Sequence, residues 1–277
     1  SELARLRQSV LLMGAKAEEL VGRGLRAFAT RDDDLARSAI VLDAGKEYLV
    51  ELRLKPIVRM RGLNELGELV QLLRTDYSGA LQREVVEAMT NNETSFFRDL
   101  HPFETLRKSI IPELIRRRAA ERTLDIWCGA SSSGQEIYSV ALTLREHFPE
   151  LVNWRLNIVS TDLSREMVQR GRDGRYSQIE VNRGLPAMLL VKYFERSGMD
   201  YYVKPDIRRL VDFREMNLNG PWTGVPSRLD IVFLRNVLIY FEDPVKRRIL
   251  GKVHDLLRPD GYLFLGGSET TLNLEDR

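Results

Sequence analysis

The chain has a single cysteine, Cys128, and three histidines, His101, His147 and His254, among 277 residues. One cysteine excludes an intrachain disulfide framework, and a small thiol ending an apolar run reads as a packed residue rather than a nucleophile. The histidines are scattered and show no metal-ligand spacing, so no metal site is expected. No apolar run reaches membrane-spanning length and the start lacks a secretory pattern, which predicts a cytoplasmic protein with no membrane insertion. A surplus of one charge is also missing. Against 40 acids stand 42 lysines and arginines, for a net charge of +2. The chain as a whole is therefore not drawn to nucleic acid, and any basic function must be local. Two phosphate-binding patterns are absent as well. No GxGxxG is present, and Gln135 stands where a GxxxxGK[ST] loop would carry its lysine.

What is present is a soluble globular composition, 43% hydrophobic and 30% charged, long enough for more than one domain. The organising stretch is residues 123 to 145. Thr123 to Cys128 reads as a buried strand, Gly129 to Gly134 as a loop of small residues, and Ile137, Val140, Ala141, Leu144 and Phe148 as one face of a helix. A strand, small-residue loop and helix can let a ligand approach the backbone beside free helix N–H groups, or can be an ordinary βα turn. Asp125 and Glu136 add negative charge, which disfavours a phosphate ligand and favours a cationic or neutral one.

Upstream, residues 1 to 44 read as amphipathic helices, with a turn at Thr30 to Asp34, and resemble a helical hairpin of PhoU-type regulators. Residues 46 to 61 carry five basic and two acidic residues beside an apolar stripe of Tyr48, Leu49 and Leu52. This is either a solvated helical face or a docking surface for an acidic partner. Pro56 is expected to kink or restart that helix, Gly62 to stop it, and Leu66, Leu69, Val70 and Leu73 to mark the next. The segment Thr90 to Phe103 sets polar residues before Phe96, Phe97 and Arg98, and Pro102 starts a further helix.

Downstream, Arg155 to Thr161 reads as a strand ending in Asp162. An acid there can bond a ribose diol or cap the helix from Ser164. Residues 174 to 205 break the βα rhythm and suggest short strands and a helix inserted into the sheet domain. Strands return at Leu210 to Phe213, Leu229 to Leu234 and Tyr262 to Leu265, with a helix over Val245 to Leu257. The alternation predicts an α/β fold with a mainly parallel sheet.

Four strings taken together resemble the CheR family, S-adenosylmethionine-dependent methyltransferases that esterify glutamates on chemoreceptors. They are TNNETSFFRD (90 to 99), WCGASSSGQEIYS (127 to 139), the Asp162 strand end, and RNVLIYF (235 to 241) with the preceding Asn217 and Leu218. The likeness runs from about Lys46 to Glu269. It implies a Rossmann-like methyltransferase sheet with an inserted small β-subdomain, preceded by an all-helical N-terminal domain. The expected division is an atypical helical segment 1–44, a helical domain 45–85 with the basic helix, and a methyltransferase domain 86–277. Two features depart from the family: the first 44 residues, and an end at Arg277 where members continue into a strand hairpin, leaving the Tyr262 strand as an expected edge.

Residue by residue, the resemblance implies that Asn92, Thr94 and Arg98 meet the methionine end of S-adenosylmethionine or the reaction centre. Glu136 holds the amino end, Asp162 binds the ribose, Asn217 and Leu218 flank the adenine, Arg235 and Asn236 complete the wall, and Tyr240 sits by the departing methyl. Arg98 and Tyr240 are the catalytic candidates, S-adenosylhomocysteine the product. Arg53 and Arg59 are expected on a helix facing the receptor's methylation helices. The segment Ser197 to Lys204 is shortened relative to members that grip a receptor tail peptide, so no tail-peptide dependence is expected. Two alternatives stand beside this reading. A nucleic-acid methyltransferase on the same fold is disfavoured by the balanced charge and the lack of an NPPY-like motif. A non-catalytic S-adenosylmethionine-binding module is disfavoured by intact Arg98, Asp162, Asn236 and Tyr240.

Overall fold

The computed structural model describes residues 47–76, 79–241 and 243–271. The chain divides into two compact units between Asn91 and Asn92. The reading of residues 1–44 lies outside the described residues.

In the first unit, helices α1 (Glu47–Met60), α2 (Leu66–Thr75) and α3 (Ala80–Met89) pack together. Val50, Leu54, Ile57 and Val58 recur at helical spacing on α1 and meet Leu69, Leu81, Val85 and Met89. Gly62 is left-handed (φ 68°) and ends α1. Leu63 N–H donates to the Val58 carbonyl and Gly62 N–H to that of Arg59, the paired bonds that close a helix on a glycine. Pro56 does not interrupt α1, which runs through it. It lies on the exposed face, where water can solvate the carbonyl that loses its donor.

The second unit begins with the helical run α4, from His101–Thr105 through a π-helical turn Leu106–Ile110 to Ile111–Arg117. There follow β1 (Thr123–Gly129), α5 (Gln135–His147), β2 (Arg155–Asp162) and α6 (Arg165–Asp173). The insert is β3 (Arg175–Ser177), α7 (Gln178–Asn182), α8 (Ala187–Tyr193), β4 (Phe194–Ser197) and β5 (Asp200–Val203). Then come β6 (Val211–Glu215), β7 (Leu229–Leu234), α9 (Asp243–Leu256) and β8 (Leu257–Leu265). The main sheet has the order β6-β2-β1-β7-β8, with every pair parallel. The insert forms an antiparallel sheet, β3-β5-β4. The expected Rossmann-like architecture with a small β insert is what the chain adopts. β8 starts five residues earlier than the sequence pattern suggested and occupies one edge.

Strand alternation splits the core into two layers. Ile126, Cys128, Ile158 and Phe233 face a cluster with Leu106, Leu114, Ile137 and Val140 of α4 and α5. Trp127, Val159, Val232 and Leu234 face Ile249 and Val253 of α9. Burial on both faces is why β1 and β7 read as apolar runs. The chain leaves β1 towards β2 and β6 and then crosses to place β7 on the other side of β1. That reversal opens a crevice beyond the carboxyl end of β1, where open α/β sheets bind ligands.

At the amino end of the sheet sits a buried ionic hub. Asp230, with no exposed surface, accepts from Arg118 Nε (2.8 Å) and the Asp125 backbone N–H (2.9 Å), and pairs at 3.2 Å with Arg258, whose Nε donates to the Arg228 carbonyl (2.9 Å). Arg118 also donates to Asp260 at 2.6 Å, which holds that carboxyl down at about 2. Asp125 therefore belongs to this end: its own carboxylate takes the Asn157 amide at 2.6 Å and adds no charge to the loop after β1.

Candidate functional site

Three segments converge beyond the carboxyl end of β1, and all three bend through left-handed backbone. Among the described residues, Phe97, Asp99 and Leu100, then Ala130 and Ser132, then Asn236 have φ between 40° and 64°. Non-glycine residues rarely adopt this conformation, and it concentrates at sites whose surroundings enforce it. Gly134 (φ 90°) precedes α5, and a Cβ there would lie 2.8 Å from the Phe213 ring, so only glycine lets the loop settle.

The loop after β1 is held from both sides. Ser132 Oγ donates to the Asn92 carbonyl (2.8 Å), and the Phe97 N–H donates to Ser139 Oγ on α5 (2.9 Å). Asn92 and Thr94, both half-buried, thereby lie in a segment bound to the loop. From the insert, the buried Tyr176 hydroxyl donates to the Ser133 carbonyl (2.7 Å) and its ring meets Phe96 edge-on. Gly184 approaches the Phe96 carbonyl so closely that a Cβ would lie 2.1 Å from it.

Asp162 ends β2, 6% exposed. Its carboxylate accepts the Ser132 N–H (2.7 Å) and the Ser164 N–H (2.9 Å), joining the loops that follow β1 and β2. The residue that caps α6 is Ser164, which accepts from Met167 N–H, so the capping alternative for Asp162 is displaced by two residues. Burial raises the Asp162 pKa, and the two N–H groups oppose that rise.

Glu136, in the first turn of α5, is buried against Arg235 at the end of β7. Arg235 also reaches Asp99 (2.6 Å) and the Arg98 carbonyl (3.3 Å). Its Nε is buried with no partner among the described residues, a donor left for a bound group. Burial raises the Glu136 pKa against the pull of Arg235. Cys128 lies beside it, Sγ to Glu136 Oε2 3.6 Å, and burial with that neighbouring carboxylate raises the thiol's pKa. Cys128 is a packed S–H donor.

The remaining wall comes from the ends of β6 and β7. Asn217 Oδ1 accepts the Asn219 N–H (2.9 Å), a turn that presents Leu218 to the space over Gly129, where an added Cβ would meet Leu218, Leu234 and Trp127. The Leu218 carbonyl takes the Trp222 indole N–H, and Trp222 lies 4.8 Å from Trp127. Asn236 and Tyr240 are half-buried on the turn after β7. Arg98 is half-buried, with a long 3.3 Å bond to the Glu93 carbonyl.

Contacts thus tie Asn92, Arg98, Glu136, Asp162, Leu218 and Arg235 together at the carboxyl end of β1, and Thr94, Asn217, Asn236 and Tyr240 lie on the segments that carry them. Arg53 and Arg59 belong to the first unit. Arg53 is half-buried and donates to the Met89 (2.6 Å) and Thr90 (3.3 Å) carbonyls at the end of α3. Arg59 is exposed. Sequence reasoning missed Asp99 and Ser132. Asp99 adjoins Arg98 in the string already singled out, but its partner Arg235 is 136 residues away.

The set fits S-adenosylmethionine by its donors and acceptors. Two buried carboxylates suit a ribose diol and a cationic amino acid end, Leu218 suits an adenine face, and Arg235 retains a buried donor. No helix among the described residues is long and apolar enough to cross a membrane.

Comparison with known proteins agrees with this geometry. Residues 92–277 match the family described as CheR methyltransferase, SAM binding domain. Residues 35–90 match CheR methyltransferase, all-alpha domain, which begins inside the stretch set apart above as 1–44. A chemotaxis protein methyltransferase 1 of Pseudomonas aeruginosa is 44% identical over 243 residues, covering 86% of this chain and 87% of its own. Chemotaxis protein methyltransferase Cher2 of Pseudomonas putida is 43% identical, with the same shares covered. A chemotaxis protein methyltransferase 1 of Vibrio cholerae is 39% identical over 87% of this chain and 88% of its own.

Proposed function

Because the chain belongs to the CheR methyltransferase family, we propose that it methylates glutamate side chains of chemoreceptors, forming methyl esters. The observation that carries this reading is the charge make-up of the crevice: carboxylates Glu136, Asp162 and Asp99 with guanidinium groups Arg98 and Arg235, and no histidine among these side chains. When bound, S-adenosylmethionine supplies a methyl group on a sulfonium, which leaves as a neutral thioether. An acceptor glutamate with a pKa of about 4.3 is already ionised at neutral pH, so the chain need supply no general base. Glu136 and Asp162 hold the donor. Arg98 and Tyr240 orient the acceptor for in-line attack, a contribution worth up to ~7–11 kcal/mol in well-aligned systems. The role given to Arg98 is orientation, because a cation that stabilises the ground-state carboxylate as much as the transition state gains nothing in rate.

The test uses S-adenosylmethionine labelled in the methyl group and a purified receptor cytoplasmic fragment. Label on the receptor that mild base releases as methanol is expected of a glutamate ester. Base-stable label, or label on tRNA or DNA, would overturn the proposal in favour of another acceptor. Donor binding with no transfer would favour a non-catalytic module. Arg98→Ala should lower kcat about tenfold and leave donor affinity nearly unchanged. If transfer did not fall, the orienting role would be wrong.

Docking of the acidic methylation helices falls to the exposed basic face of α1. Arg59→Ala should slow transfer at low salt and lose its effect at high salt. Arg53→Ala should instead destabilise the helical unit by about 1 kcal/mol, since it strips the α3 carbonyls of a charged donor. Transfer indifferent to salt and to Arg59→Ala would sink the docking proposal. In the insert, β4 and β5 join through the two residues Gly198 and Met199, and transfer is proposed to need no receptor tail peptide. A tail peptide that bound tightly in calorimetry would overturn this.

A further inference from the structure

We infer that Glu269 is a positioning residue for the turn that carries Asn236 and Tyr240. After β8 the chain folds back on itself, and the Glu269 N–H donates to the Gly266 carbonyl (2.9 Å). That fold aims the Glu269 carboxylate at the turn after β7. Oε2 accepts the N–H groups of Asn236 (2.7 Å) and Gly266 (2.6 Å). Oε1 accepts those of Val237 (2.8 Å) and Leu238 (2.7 Å). Four backbone donors thus fill the lone pairs of one carboxylate, and three of them come from consecutive residues of the turn.

The arrangement has a physical purpose at Asn236. Its φ of 58° is a conformation that a non-glycine residue keeps only when its surroundings impose it. Three successive N–H groups pointing at one anion impose it. Gly266 supplies an independent sign of the same contact. A Cβ there would lie 2.7 Å from both Asn236 Nδ2 and Glu269 Oε2, and 2.9 Å from the Asn236 nitrogen. The strand end and the turn are therefore pressed together with no room for a side chain.

Only a carboxylate of this length meets the demand. A glutamine has one acceptor oxygen and would turn an NH2 towards donors. An aspartate is one methylene too short to reach all four. The inference rests on the proposed reading that Asn236 and Tyr240 serve the methyl-donor site. Glu269 touches neither donor nor acceptor and acts through the backbone of those residues.

The experiment compares wild type, Glu269→Gln and Glu269→Asp as full chains, with Ser268→Ala as a control on the same turn. Amide hydrogen exchange is read at Asn236, Val237 and Leu238, and S-adenosylhomocysteine affinity by calorimetry. Glu269→Gln should lose protection at these three amides and bind S-adenosylhomocysteine about tenfold more weakly. Glu269→Asp should fall between it and wild type, and Ser268→Ala should match wild type. Protection kept in Glu269→Gln, or lost with no change in affinity, would overturn the inference. If wild type bound no S-adenosylhomocysteine, the functional reading would fail, while the exchange data would still judge the clamp.

Discussion

Asp162→Ala is expected to weaken S-adenosylhomocysteine binding about 100-fold. A hydrogen bond to a charged group contributes ~1.5–3 kcal/mol, and each 1.4 kcal/mol is tenfold in affinity. The substitution removes the carboxylate proposed for the ribose diol. It also leaves the Ser132 and Ser164 N–H groups without their acceptor, so the small-residue loop loses its tie to β2. Calorimetry on both proteins measures the effect, with a thermal melt to check that the variant is folded. Unchanged affinity would remove Asp162 from the site.

The same carboxylate gives the binding a pH signature. Burial raises Asp162 and Glu136 above their ordinary values of 3.8 and 4.5. The proposed ligand contacts need both ionised, so affinity should fall on acidification from a higher pH than ordinary carboxylates would give. An acid with a raised pKa holds its proton better when folded, so its ionisation erodes stability as pH rises from the ordinary to the raised value. Asp260, held down at about 2 by its bond from Arg118, acts the other way. It contributes stability above pH 3.8 that is lost as pH falls towards 2. It is about one-third exposed, so solvent screens that contribution.

The largest effect on stability is expected at the opposite end of the sheet. Asp230→Ala should cost ~3–5 kcal/mol, because it leaves the buried Arg118 and Arg258 short of their shared anion. It also orphans the Asp125 N–H inside the sheet. Urea unfolding followed at the methyltransferase unit measures the loss. S-adenosylhomocysteine affinity in the folded fraction should be close to wild type, since the hub lies at the amino ends of the strands and the crevice at the carboxyl ends. A loss below about 1 kcal/mol would mean that solvent, rather than Asp230, compensates the two arginines.

Much of this protein was legible in one dimension. Apolar runs of the right length specified β1 and β7, because strands buried on both faces have no other use for their side chains, while β2 and β6 were marked by alternation and length. Helical spacing marked α5, and the broken rhythm over 174 to 205 marked the insert. The four motif strings named the residues proposed for the site, because each keeps its local spacing wherever the fold puts it. The places where sequence reasoning went astray share one cause. Pro56 reads as a break, yet helix packing carries α1 through it. Asp125 reads as site charge, yet the sheet register sets it beside Asn157 and Asp230. Arg53 reads as part of a basic docking face, and in the fold it also closes the end of a helix 36 residues on.

Partnership across the fold was decided by tertiary structure alone. The residues joined by the Glu136–Arg235 pair are 99 apart in sequence, and Asp230 meets Asp125 across 105. Glu269 reaches back 33 residues to Asn236. A sequence states which groups can bond and leaves open which of them will, because periodicity and turn chemistry reach only a few residues along the chain. The sheet order β6-β2-β1-β7-β8 brings these segments to one end, and only there do their charges acquire partners.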